Sequence, residues 1–188
     1  MSKKNSITTC DFINFDEALN RGKKLMENQK TEMLGFYIIV SIYCGLRTSD
    51  VKTITYEQLR EGVIKLKEQK TNKNRTIQVN PTVQKAMSKI TRTKQSGLIF
   101  LSQKNTVIST QQINKLLKEV AFSYLLPSHC ISTHSLRKTF GRRVYEMSNK
   151  SENSLMYLSE LFNHSSMRLT RIYLGIKQEE LNDIYLNL

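Results

Sequence analysis

"VIKLKEQKTNKNRTIQV", residues 63–79, is where the apolar spacing of this chain changes from that of helices to that of strands. Ile64 and Leu66 alternate with Lys65 and Lys67, the polar run QKTNKNR supplies a turn with two asparagines, and TIQV resumes β-rich residues before Pro81. The segment predicts a β-hairpin with lysines along one face. Upstream, NFDEALNRGKKLMENQ (14–29) carries apolar residues on a helical stripe, with Asp16 and Glu17 at the favourable N-terminal end. MLGFYIIVSIYCGL (33–46) predicts a buried helix ending near Gly45, and LRTSDVKTI restarts with Thr48 or Ser49 as N-cap. Downstream, TVQKAMSKI predicts a short helix and GLIFL a buried strand. STQQINKLLKEVAFSYLL (109–126) predicts a helix capped by Ser109 or Thr110 and stopped by Pro127. After a linker at 128–133, Thr133 caps a helix from His134 to about Met147, and helices follow over ENSLMYLSELF (152–162), SMRLTRIYL and KQEELNDIYLNL. The expected fold is mainly α with a small antiparallel β-sheet (α+β).

Composition bounds the partners. With 188 residues the chain fits one domain, and 39% hydrophobic residues with 7 Gly and 2 Pro suit a compact fold rather than a disordered or fibrous one. Its 29 Lys and Arg against 16 Asp and Glu give a formal charge of +13, which attracts polyanions: nucleic acid first, a membrane surface second. The apolar run at 33–46 is short of the roughly 20 residues a bilayer span needs, and no apolar stretch follows the lysines of MSKKNSITTCDF as a secretory signal would require. Cys10, Cys44 and Cys130, odd in number and widely spaced, suit reduced thiols in a cytoplasmic compartment. Cys130 lies beside His129 and four residues before His134, but no C-x-x-C pair completes a metal site, so no metal or cofactor is expected.

Several residues could handle a phosphate. In THSLRKTFGRRVYE, His134 and Arg137 stand three apart and share a helix face, and the helix N-terminus adds backbone N–H groups. A guanidinium bonding two oxygens at once suits a phosphodiester; the alternative is a solvated basic face with Lys138, Arg142 and Arg143. Arg47 sits at a helix junction, where it is either held for one task or pairs with Asp50. Lys70 lies near the hairpin tip, able to reach into a groove or merely to solvate the turn. Asn163 ends the helix before it, displaying His164 at a negative helix terminus that favours the protonated ring. Tyr173, nine residues on, would by itself be a core aromatic.

Taken in order, the arginine of GLRTSD, the lysine of KTNKNRTIQV, the H-x-L-R of HSLRKTFG, and the histidine and tyrosine of LFNHSSMRLTRIYLG resemble the tyrosine recombinase (phage integrase) family over about residues 12–180. The resemblance implies the DNA breaking-rejoining enzyme fold, with Arg47, Lys70, His134, Arg137, His164 and Tyr173 as catalytic residues and Asp50 in support. Lys138 stands where many members carry a second histidine, and Phe162-Asn163 replaces the usual Leu-Gly. The implied chemistry is cleavage and rejoining of DNA through a 3′-phosphotyrosyl bond. Residues 12–188 would form the catalytic domain after an extension at 1–11, with the N-terminal core-binding domain absent. Such a chain is either a minimal recombinase of the short invertase type or a fragment of a longer integrase. Double-stranded DNA is the implied partner, with assembly into a tetrameric synapse, in which segment 177–188 docks on a neighbour or on its own domain. The implied location is a bacterial or phage-derived, nucleoid-associated enzyme in the cytoplasm. A type IB topoisomerase and a helix-turn-helix regulator without chemistry are the alternatives.

Overall fold

The computed structural model describes residues 10–90, 96–102, 104–176 and 185–187. Helix α1 (Phe15–Met26) is capped by Asn14, whose Oδ1 accepts from the backbone N–H of Asp16 and Glu17. It packs backbone to backbone on α2 (Glu32–Cys44), because Gly22 faces Gly35 and a Cβ at Gly35 would strike the Gly22 carbonyl. α2 is apolar on all sides and is therefore buried on all sides, with Phe36, Ile38, Ile39, Val40 and Ile42 fully inaccessible. It is the axis of the main core, against which α1, α5 and α7 pack. Short helices α3 (Thr48–Val51) and α4 (Tyr56–Arg60) lead into the sheet.

The predicted hairpin is present. β1 (Val63–Lys67) pairs antiparallel with β2 (Asn74–Gln78), with Ile64 opposite Ile77 and Leu66 opposite Arg75. α5 (Pro81–Met87) follows, started by Asn80 and a proline in its first turn. The predicted strand at GLIFL forms only single bridges, Thr55 with Leu98 and Leu101 with Val107, so Ile99 and Phe100 enter the core without a continuous partner strand. The predicted helix over 109–126 is interrupted. α6 (Thr110–Leu116), capped by Ser109, widens into a π-helical turn at Leu117–Ala121 and tightens into a 3₁₀ turn at Ser123–Leu125. The widened turn frees the Val120 and Ala121 carbonyls, and Arg21 of α1 satisfies both, at 2.7 and 2.6 Å.

α7 (Thr133–Met147) begins one residue earlier than expected. Ser132, not Thr133, is its cap, in a reciprocal box with Ser135. α8 (Glu152–Phe162) and α9 (Met167–Leu174) complete the body, and both end in left-handed residues, Asn163 at φ 55° and Gly175 at φ 75°. They enclose a second, smaller core of Tyr145, Leu155, Leu158, Phe162, Tyr173, Leu174 and Ile176. Gly141 of α7 admits it, since a Cβ there would lie 2.7 Å from Leu174 and 3.0 Å from Phe162. At the other end of the chain Cys10 is buried and Asp11 exchanges hydrogen bonds with Cys130, so the packed body takes in residues assigned by sequence to the extension. The helix expected at 177–188 lies outside the described residues except for 185–187. Among the described residues no helix is long and apolar enough to cross a membrane.

Candidate active site

The turn between α2 and α3 sets two arginines. Gly45 ends α2 at φ 59°, and a Cβ there would collide with the Phe140 ring, so glycine is required twice over. Its carbonyl accepts from Arg137 Nη1 at 2.9 Å. Two residues on, Arg47 occupies the N-cap position of α3, one residue before the predicted Thr48 or Ser49. Its Nη1 lies 2.8 Å from Glu68 Oε2 and its Nη2 donates to the Phe162 carbonyl at 2.9 Å. The alternative Asp50 partner is not the one found. Asp50, itself buried, accepts the Gln69 backbone N–H at 3.0 Å and so fixes the hairpin one residue before Lys70.

Arg137 is buried, with its guanidinium 4.5 Å over the Phe162 ring. Burial pulls it down to about 10, offset in part by nearby Tyr173 and Glu68 and reinforced by Arg47 and Arg75; it remains a cation at neutral pH. His134 stands three residues earlier on the exposed edge of α7. The predicted free N–H groups at that helix start are already taken. Thr133 N–H donates to Asn114 Oδ1, His134 N–H to Ser132 Oγ, and Ser135 N–H to the Ser132 carbonyl. Any anion held there meets side chains instead. The His134 ring is held below its usual range by partial desolvation and then by Arg137, Lys138, Lys70 and Arg47, so Lys70, although solvent-exposed, belongs to the same electrostatic cluster.

His164 follows Asn163, which adopts the predicted left-handed turn, and its N–H returns to the Ser159 carbonyl at 2.9 Å. Its Nδ1 lies 2.9 Å from Thr170 Oγ1, and its ring packs at 5.5 Å from Phe162 and 5.1 Å from Tyr173. The sequence argument for a protonated ring fails here. Burial, then Arg137 and Arg47, push His164 down to about 4, and these outweigh the helix terminus.

Tyr173 is 8% exposed and packs edge-on to Phe162 at 5.4 Å, with the Lys138 amine 5.2 Å from its ring centre. It is a core aromatic of the small cluster, and its hydroxyl lies in the field of Arg137 and Arg47. That hydroxyl has no hydrogen bond of good geometry among the described residues, although Arg137 is near enough to favour its ionisation. Burial dominates and raises it above the ordinary tyrosine value. Among the described residues no three His, Cys, Asp or Glu side chains gather as metal ligands.

Sequence reasoning missed Glu68, Arg75 and Phe162. Glu68 had a signal: continuing the inward parity of Ile64 and Leu66 puts an acidic side chain inside, where it demands cations. Phe162 joins the two arginines, one through its ring and one through its carbonyl.

The fold is one of helices around one hairpin, with two arginines meeting a tyrosine near a displayed histidine. The phage integrase family model matches residues 17–180, and the chain belongs to that family. It is 29% identical to the probable integrase/recombinase YoeC of Bacillus subtilis, over 80% of this chain and 81% of that protein. It is 25% identical to the tyrosine recombinase XerC of Thermodesulfovibrio yellowstonii, over 95% of this chain but 60% of that one. For a tyrosine recombinase of Agathobacter rectalis the matched share of the relative falls to 47%. In fold it resembles the XerA recombinase at TM-score 0.65 and 17% identity, covering 100% of this chain and 66% of that one. It also resembles the catalytic domain of bacteriophage HP1 integrase, at TM-score 0.57 and 21% identity, covering 88% of each.

Proposed function

We propose that this chain is the catalytic domain of a site-specific DNA recombinase, cutting and rejoining strands through Tyr173. The observation that carries this is the meeting of Arg47, Arg137 and the Tyr173 hydroxyl in one electrostatic cluster, with His134 and Lys70 at its rim. A phosphodiester repels nucleophiles because its oxygens are negative, so displacement needs cations at those oxygens and a proton for the departing alkoxide. Arg47 and Arg137 hold the non-bridging oxygens. His134 adds a donor from the α7 edge, and neutral His164 adds one through its ring. The tyrosine oxygen bonds to phosphorus as the phenol gives up its proton to water, the bond to the 5′-oxygen breaks, and Lys70 protonates that oxygen. Asp50 keeps the Lys70 hairpin in place. A 5′-hydroxyl from a partner strand reverses the step without an energy source, because the phosphotyrosyl bond conserves the diester.

Double-stranded DNA is the partner, which agrees with the +13 charge and with relatives such as XerH, solved in a post-cleavage complex with its difH substrate. The reaction implies a tetrameric synapse in the nucleoid, which segment 177–188 would help to assemble. A nicked duplex library with randomised cores tests the reading. Wild-type protein should form a denaturation-resistant protein–DNA adduct mapped to Tyr173, and Tyr173→Phe should bind DNA yet form none; adducts persisting in that variant refute it.

A further inference from the structure

Lys70 is exposed, yet its backbone is pinned on both sides. Asp50 holds the Gln69 N–H, and Glu68 Oε2 accepts the Thr71 hydroxyl at 2.7 Å. Glu68 also closes the turn through its own backbone, its N–H donating to the Lys73 carbonyl and its carbonyl accepting from Asn72, each at 2.9 Å. Its carboxylate is 1% exposed and faces two guanidiniums, Arg47 at 2.8 Å and Arg75 at 2.9 Å. Both arginines continue to the end of α8. Arg47 donates to the Phe162 carbonyl at 2.9 Å and Arg75 to the Leu161 carbonyl at 2.5 Å. Lys73 adds a third cation there, donating to Asn163 Oδ1 at 2.8 Å. A helix C-terminus with unmet carbonyls and negative dipole charge is a stable seat for such donors. The next residue is His164.

We propose that Glu68 is a positioning residue that locks the Lys70 hairpin, Arg47 and the His164–Tyr173 segment into one mechanical unit. This deepens the recombinase reading and rests on it for its catalytic consequence. The carboxylate does two things at once. It neutralises Arg47 and Arg75, which would otherwise repel each other and Arg137, and it fixes the angle at which their remaining nitrogens reach the α8 carbonyls. Burial opposes its charge, but the Thr71 hydroxyl and then Arg75 and Arg47 hold the carboxyl below its usual range, so it is ionised at neutral pH. A buried carboxylate serving two arginines loses its function when made neutral even if its shape is kept, because the cations are then left without compensation.

Glu68→Gln preserves shape and removes the charge, and two measurements on the full chain separate positioning from general damage. In hydrogen exchange, the amides of Asn72 in the hairpin and of His164 after α8 should both speed up by about tenfold or more, while α2 stays protected. Acceleration confined to the hairpin, or spread equally through α2, overturns the coupling. In cleavage of a nicked duplex recovered from the randomised library, Glu68→Gln should slow adduct formation by about tenfold or more. A substrate with sulfur in place of the 5′-bridging oxygen should restore the part of that loss that runs through Lys70, because a thiolate leaves without a proton. Lys70→Ala is the reference for such rescue. A slowing that the sulfur substrate leaves unchanged, or no slowing at all, overturns the proposal while the recombinase reading stands. Absence of any wild-type adduct overturns that reading instead, and the exchange result then decides the coupling. If Glu68→Gln does not fold, Thr71→Val, which deletes one of the carboxylate's partners at the hairpin, is judged by the same criteria.

Discussion

The ionisation of His164 offers a sharp check, because sequence and structure give opposite expectations. The ring faces Arg137 and Arg47, packs against Phe162 and Tyr173, and is pushed to about 4 from an ordinary 6.5. A histidine depressed in the folded state binds fewer protons than in the unfolded chain between those two values. Its contribution to stability is therefore complete above about pH 6.5 and is lost as pH falls towards 4. The whole difference corresponds to about 3 kcal/mol at 1.36 kcal/mol per pH unit, and the water-facing part of the ring reduces this to about 1–2 kcal/mol. Between pH 7.5 and pH 5.0, denaturant unfolding of the wild type should lose about 1 kcal/mol more than His164→Gln. Proton NMR of the His164 ring gives the direct reading, with a midpoint well below the ordinary 6.5. A DNA phosphate bound between the two arginines should raise it again by cancelling their field. Titration of His164 near 6.5 in the free protein, or identical pH slopes for the two proteins, would refute the reasoning.

Phe162 is 1% exposed and carries the Arg137 guanidinium on its face, so Phe162→Leu, which nearly conserves volume, should still cost about 1–2 kcal/mol by urea unfolding. A double-mutant cycle with Arg137→Met should show a coupling of about 0.5–2 kcal/mol, and additivity would dismiss the stacking contact. With +13 of formal charge, DNA binding should weaken steeply with salt. Four neutralised phosphates would predict roughly a hundredfold loss between 50 and 200 mM, checked by fluorescence anisotropy, and a flat response would count against DNA as ligand.

Much of this fold was legible because its signals are local. The period change at 63–79, the acidic first turn at Asp16 and Glu17, and the left-handed Gly45 and Asn163 each act within a few residues, and each is found where expected. What escaped depends on distant partners. The π-helical turn at Leu117–Ala121 is held open by Arg21 from α1, and the π turn leaves no mark in the spacing of its own segment. The shift of the α3 and α7 caps reflects the junction geometry, in which Arg47 is pulled by Glu68 and Phe162, and Ser132 has Ser135 to reciprocate. The order of the candidate residues was visible along the chain, but their charge states were not. His164 depends first on its burial and then on two arginines from α7 and the α2–α3 turn. Glu68 was readable from strand parity, had an inward acid been taken as a demand for cations.

Burial is the first cause of both unusual ionisations, and one field acts on both. Arg47 and Arg137 disfavour a proton on His164 and favour loss of the proton from Tyr173, yet Tyr173 ends well above its ordinary value because burial in the small core outweighs them. The balance therefore depends on where α9 sits. On the proposed mechanism, displacing the eight-residue helix towards a bound phosphate would remove the desolvation penalty while keeping the hydroxyl beside the arginines, so exposure and activation of Tyr173 would come together. The small core forms a cluster apart from the α2 core, and left-handed residues at Asn163 and Gly175 flank α9. In the state described, Tyr173 is buried, and that burial favours its protonated phenol over the two arginines' opposing pull.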